Sequence, residues 1–344
     1  MNNLYLSPSE SKPTLRPLIV WALTYRCNLR CRYCYVFTDE NEVSLLKSEA
    51  PPNIVEEIAD SLIKQGNWQP EIIWLTGGEP TQHSQLPWLV EKLESAGIMT
   101  VVTTNGVIEA EATSSLIRSR PRGIMVALDS TDPDENNQNR RSGKRVLETI
   151  SLLAREKAEY TTLGVAAVVT QQNMKQLNEF AKRLQELGVD YLSLNPIHHY
   201  RPFVTKCGES SDGEGFEDEI SNISKSTSML LPSSTYLELL NCHFLRKESE
   251  RLMCPASYEY AFITPWGQVF PCSCEFWHRD PRMVSAPMAG FRDFAKVLSD
   301  LRNLLKNERF TTHSECYSSR CVSCWKWYYD SVFVRRQSQK VFVE

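Results

Sequence analysis

LIVWALTYRCNLRCRYCY, residues 18–35, sets an apolar run directly against a tract holding Cys27, Cys31 and Cys34. The first part, LIVWALT (18–24), has the length and the β-branched, aromatic content of a buried strand. Five more runs of this kind follow: EIIWLT (71–76), IMTVVTT (98–104), GIMVALD (123–129), TLGVAAVVT (162–170) and DYLSLN (190–195). Strands apolar on both faces belong to a parallel sheet covered by helices. The intervening segments carry the helical period. PNIVEEIADSLIKQG (52–66) puts Ile54, Val55, Ile58, Leu62 and Ile63 on one stripe, and NMKQLNEFAKRLQELG (173–188) does the same with Leu177, Phe180, Leu184 and Leu187, with Asn173 as N-cap. Six βα units are too few for a closed eightfold barrel, so the expected fold is α/β, a partial (β/α)6 TIM-like barrel.

In parallel α/β architectures ligands gather at the carboxyl ends of the strands. The distinctive polar residues fall there: the cysteine tract after the first run, GGEP after the second, TTNG after the third and DS after the fourth. One rim collects them all.

The rest of the 344 residues divides on composition. TKCGESSDGEGFEDEISNISKSTS (205–228) is acidic, Ser/Gly-rich and poor in apolar residues, and reads as a mobile loop or linker. A helix is expected over 233–251, then a hairpin in YEYAFITPWGQVFPC with PWG at its turn, then a helical stretch at 291–306. The expected units are therefore 1–204, a linker with a bridging helix at 205–251, and a smaller C-terminal α+β unit at 252–344.

Net charge is −4 with Lys and Arg scattered, which argues against a nucleic-acid surface. Neither a signal peptide nor an apolar run long enough to span a bilayer is seen, which points to the cytoplasm. Eleven cysteines, an odd number without an export signal, argue against a disulfide framework and for metal or iron–sulfur ligation. Three thiolates hold three corners of a [4Fe–4S] cube and leave one iron open. The plainer readings are a Cys₃ zinc site completed by His83, or unrelated buried thiols.

Cys27-x3-Cys31-x2-Cys34, with Tyr33 before the last cysteine, resembles the signature of the radical S-adenosylmethionine (SAM) superfamily. Thr76-Gly77-Gly78-Glu79-Pro80 resembles that family's GGE motif, which contacts the SAM amino group. Thr103-Thr104-Asn105-Gly106 and Leu128-Asp129-Ser130 resemble its next two strand ends, the latter near the ribose. Arg140 and Arg141 stand where members place an arginine for the SAM carboxylate. Val168 lies on the strand that packs against adenine, and the Tyr33 carbonyl would face the adenine amine. The resemblance covers about residues 17–200. It implies reductive cleavage of SAM to methionine and a 5′-deoxyadenosyl radical that abstracts hydrogen from substrate, with an external electron donor such as flavodoxin or ferredoxin.

Cys254-x17-Cys272, with Gly267 five positions before the second cysteine, and Cys321-x2-Cys324 resemble the family's Twitch or SPASM auxiliary region. The full two-cluster pattern is absent, which implies one auxiliary [4Fe–4S] cluster on Cys254, Cys272, Cys321 and Cys324. Cys274 and Cys316 are competing ligands, a Cys₄ zinc is the plainer alternative, and Cys207 and Cys242 read as ordinary thiols. The aromatics Trp266, Phe270, Trp277, Trp325, Trp327, Tyr328 and Tyr329 read as core and cluster shielding, and His198 and His199 as loop residues on the active rim. Family members with such regions mostly modify peptides, which implies a ribosomally made precursor peptide as substrate. The short stretch before the first strand suggests a separate peptide-recognition protein, as with the Nif11-type spliceases. Alternatives are a radical SAM dehydrogenase of a small metabolite and a zinc-binding interaction protein.

Overall fold

The structure is a computed structural model, described here for residues 18–34, 36, 49–64, 69–197, 214–245 and 260–270. Six strands appear where the apolar runs place them: β1 (Leu18–Thr24), β2 (Ile72–Gly77), β3 (Met99–Thr104), β4 (Gly123–Ala127), β5 (Thr162–Val169) and β6 (Tyr191–Pro196). Each pairs in parallel with the next. All seven residues of β1 are buried, the pattern of a strand covered on both faces.

Helices α1 (Pro52–Ile63), α2 (Leu86–Ser95), α3 (Ala110–Ser119), α4 (Pro133–Asn139), α5 (Arg145–Glu156) and α6 (Leu177–Glu186) connect the strands. Their buried faces follow the helical period. In α1 the core side is Val55, Ile58, Ala59 and Leu62; in α6 it is Leu177, Phe180, Ala181 and Leu184. The expected stripe is therefore present in both, with Leu187 half-buried against the core.

Two expectations are corrected. Asn173 does not cap α6 with its side chain. A single 3₁₀ turn, Met174–Gln176, intervenes, and the Asn173 amide is committed to the ends of β4 and β5 instead. The stretch read as a loop contains α7 (Phe216–Ser226), which buries Phe216 and Ile223 against the core and opens with an acidic first turn, Glu217, Asp218 and Glu219. Glu219 accepts the Asn178 amide at 2.8 Å, tying α7 to the start of α6. A composition poor in apolar residues still builds a helix when two of them fall seven positions apart on one face. Next comes α8 (Ser234–Phe244), capped by Ser233, inside the expected helical span.

The hairpin is present as expected. Its strands, β7 (Tyr260–Ile263) and β8 (Val269–Phe270), are antiparallel. Yet β7 pairs in parallel with β1, so the hairpin extends the main sheet to the order β6-β5-β4-β3-β2-β1-β7-β8. The hairpin lies in the region expected to form the smaller unit but hydrogen-bonds to the large one. The 291–306 helix lies outside the described residues.

Candidate active site at the carboxyl ends of the strands

The loop after β1 carries Cys27, Cys31 and Cys34, all half-buried and free of disulfides. It is fixed from three directions. The amides of Gly78 and Glu79 donate to the carbonyls of Thr24 and Arg26, each at 2.7 Å. The side chain of Asn28 donates to the Val107 carbonyl (2.7 Å) and accepts from Asn105 (2.8 Å). On the far side the Arg32 amide donates to the Asn139 carbonyl at 3.0 Å, and the Cys31 thiol lies 3.8 Å from the Arg140 carbonyl.

Gly77 and Gly78 owe their identity to this stitching. Gly77 has φ of 138°, and a Cβ there would sit 2.0 Å from the Thr24 carbonyl oxygen; at Gly78 it would sit 2.2 Å from the Arg26 carbonyl oxygen. The glycines admit the cysteine loop against β2.

Glu79 is fully buried. Its Oε1 accepts from the Thr81 amide (3.1 Å), the Thr81 hydroxyl (2.7 Å) and the Thr104 hydroxyl (2.8 Å), while Oε2 accepts from the Asn105 amide (2.7 Å). Burial raises its carboxyl above the ordinary value, opposed by these bonds. The Cys27 sulfur accepts from the Leu29 amide (3.4 Å) and the Asn105 side chain (3.6 Å). Burial pushes this thiol up to about 11 and raises Cys31 as well, where the Arg140 charge pulls the other way.

The two adjacent arginines part company. Arg140 is buried, 3.0 Å from the Asp129 carboxylate and with its guanidinium 5.2 Å from the centre of the Tyr33 ring. Burial is the largest single influence and works against its charge, but Asp129, together with Tyr33 and Cys31, outweighs it and holds the guanidinium protonated well beyond its ordinary range. Arg141 is exposed and adopts a left-handed φ of 60°. The Tyr33 hydroxyl donates to Asp129, and burial raises its ionisation well above the phenol value. Ser130 donates to Glu135 at 2.7 Å, facing α4, and half-buried Val168 donates its amide to Asp129 at 2.8 Å.

Sequence reasoning missed Asn28, Asn136 and Asn173 as parts of this site. Asn136 on α4 accepts the Asp129 amide at 3.1 Å, and Asn173 donates to the carbonyls of Asp129 (3.2 Å) and Val168 (2.9 Å). An asparagine after a strand is too common a turn residue to announce such a role. His83 leaves the list of metal candidates. Its Nδ1 accepts the Gln85 amide (3.1 Å), so Nε2 is the donor to the Ala50 carbonyl (2.9 Å), and neither nitrogen is left for a metal. Cys254, Cys272, Cys274, Cys316, Cys321, Cys324, His198 and His199 lie outside the described residues. Among the described residues no three His, Cys, Asp or Glu side chains converge on a single-ion site.

The donor chemistry fits an iron–sulfur cluster with SAM beside it. Three soft thiols share one short loop, and the Cys27 sulfur already accepts two N–H bonds of the kind that ligand sulfurs take. The Oε2 atom of Glu79, with one donor, keeps acceptor capacity for an ammonium.

Residues 21–184 match the Radical SAM superfamily. The chain carries a radical SAM domain. Mycofactocin maturase MftC of Mycolicibacterium smegmatis is 29% identical over 171 residues, 49% of this chain and 42% of that protein. The antilisterial bacteriocin subtilosin biosynthesis protein AlbA of Bacillus subtilis is 24% identical over 263 residues, 73% of this chain and 53% of that protein. The chain thus spans about half the length of these relatives. Streptococcus suis SuiB, in a crystal structure with its precursor peptide SuiA, superposes with a TM-score of 0.68 at 16% identity, over 89% of this chain and 70% of that one. At that identity the likeness shows the shared fold. Among the described residues no helix is long and apolar enough to cross a membrane.

Proposed function

We propose that this radical SAM chain is a peptide maturase. It binds a [4Fe–4S] cluster through Cys27, Cys31 and Cys34, holds SAM beside it, and modifies a ribosomally made precursor peptide. The observation that carries this is the arrangement of three half-buried thiols, Glu79 and Arg140 around one strand-end rim. Bound there, the two cofactors supply one-electron radical chemistry that removes hydrogen from substrate.

The chain's own residues bind and orient. Glu79 Oε2 accepts from the SAM ammonium while Thr81, Thr104 and Asn105 hold the carboxylate still. Arg140, not the exposed Arg141, is the arginine that faces the site and takes the SAM carboxylate. The wall beside Val168 takes the adenine, and Ser130 lies toward the ribose. Cys254, Cys272, Cys321 and Cys324 hold the auxiliary cluster, an external flavodoxin or ferredoxin supplies electrons in the cytoplasm, and a separate protein presents the peptide. The peptide substrate is supported by mycofactocin maturase MftC and the bacteriocin biosynthesis protein AlbA among the relatives. Backbone excision of the splicease type is the narrower form of this reading.

Anaerobic reconstitution tests it. The wild-type chain should take up roughly eight irons, two [4Fe–4S] clusters, and release 5′-deoxyadenosine from SAM under dithionite. Cys31→Ala should release none. Uptake of zinc without iron overturns the proposal, and a mass change in a co-expressed neighbouring precursor peptide identifies the substrate.

A further inference from the structure

The carboxylate that ends the fourth strand is occupied by its own chain. Asp129 is buried, and both of its oxygens have partners. Oδ1 accepts the Val168 amide at 2.8 Å; Oδ2 takes the Arg140 guanidinium at 3.0 Å and the Tyr33 hydroxyl. Its backbone is held as well, the amide by Asn136 and the carbonyl by Asn173. Asn136 is itself fixed by Ser142, a buried residue just past Arg141.

The two partners on Oδ2 lead straight to the cysteine loop. Tyr33 lies between Cys31 and Cys34 in the chain, and the Arg140 carbonyl stands 3.8 Å from the Cys31 sulfur. The guanidinium also lies over the Tyr33 ring at 5.2 Å, so carboxylate, cation and ring form one closed set. A sugar hydroxyl could bond this carboxylate only by adding to an oxygen that already serves Arg140 and Tyr33, or by displacing the Val168 amide. Removing the carboxylate leaves a buried guanidinium without its anion and a half-buried phenol without its acceptor, and both must reorient.

We propose that Asp129 is a positioning residue, not a ribose ligand: by clamping Arg140 and Tyr33 it fixes the geometry of the loop that carries Cys31 and Cys34. The proposal rests on these cysteines being the cluster ligands, but its first test does not need the cluster. In the metal-free chain, Asp129→Asn should raise hydrogen exchange at the Arg32 amide, which bonds the Asn139 carbonyl, by about tenfold or more, as release of a local clamp does. The amides of α1 serve as the reference and should not change.

In the reconstituted enzyme, Asp129→Asn should shift the EPR g values of the reduced cluster measured without SAM. Tyr33→Phe, which deletes a single hydroxyl and keeps the ring, should shift them less. Asp129→Glu should bring the spectrum part of the way back. A rise in KM for SAM of about tenfold, with exchange and the SAM-free spectrum both unchanged, would mean that Asp129 binds ribose and would overturn the proposal. Unchanged exchange, spectrum and KM would overturn it too. If Asp129→Asn fails to fold, Tyr33→Phe decides: an unchanged SAM-free spectrum and unchanged Arg32 exchange sink the clamp. A wild-type chain that binds no cluster defeats the functional reading alone, because the exchange measurement still judges the clamp.

Discussion

At the scale of single residues, the structure separates what the sequence leaves adjacent. Arg140 and Arg141 are neighbours of identical type, yet one is buried against Asp129 and the other is exposed at positive φ. Nothing in NQNRRSGKRV distinguishes them, because the choice depends on where α4 ends. Arg140→Ala should therefore lower kcat/KM for SAM cleavage by about 100-fold or more, the scale set by losing a buried charged partner, and Arg141→Ala should change it less than about threefold. Steady-state 5′-deoxyadenosine formation measures both. Asn105 offers a second residue-scale prediction. Its side chain donates to the Cys27 sulfur, and N–H bonds to ligand sulfur raise a cluster's potential. Asn105→Ala should lower the midpoint potential by on the order of tens of millivolts. A redox titration followed by EPR would show this, and an unchanged potential would mean that the contact is lost once the cluster binds. The cysteine tract, Glu79 and Asn105 were legible because their spacing is unusual. The asparagines that lock them were not, since a lone Asn near a strand end carries no distinctive pattern.

Elements were legible where one period ran long enough. The six parallel strands follow the apolar runs to within a residue or two at most ends, because a strand buried on both faces tolerates few polar side chains. Helix α7 was hidden by its composition. Only Phe216 and Ile223 are buried on it, and most of the surrounding Ser, Glu and Asp residues are exposed, half-buried Glu219 apart. Ile223→Ala should cost about 2–4 kcal/mol of unfolding free energy, as buried aliphatic truncations do, against about 0.5 kcal/mol or less for exposed Asn222→Ala. Denaturant titration compares them, and equal small effects would mean that α7 is not docked. The join between β1 and β2 makes a sharper prediction. Gly78→Ala forces a Cβ to 2.2 Å from the Arg26 carbonyl oxygen, so either β2 or the cysteine loop must shift. We expect a loss of about 3 kcal/mol or more together with defective iron uptake. Gly143→Ala, where φ is 59° but no atom lies within 4 Å of the added carbon, should cost only about 1 kcal/mol and leave iron uptake intact.

For the whole molecule, the informative feature is the pairing of Leu18 through Trp21 with Tyr260 through Ile263. A parallel ladder between such distant segments leaves no local trace, so the sequence reads a hairpin but not its destination. The ladder has a physical purpose. Strand β1 bears the cysteine loop and is buried throughout, and without β7 it would be a long apolar edge with open amides and carbonyls. Trp266, in the hairpin turn, adds an edge-on contact with Tyr25 at 5.6 Å, at the point where β1 gives way to the loop. The hairpin thus closes the sheet and steadies the root of the site. Two truncations separate these contributions from those of the residues further on. A chain ending at Leu245 should expose the β1 edge, bind a hydrophobic dye and elute as aggregates in size exclusion. A chain ending at Phe270 keeps the edge paired and should stay monodisperse, with slow amide exchange along β1. Equal solubility and equal exchange in the two would show that β7 does not protect β1, and would return the hairpin to a unit separate from the main sheet.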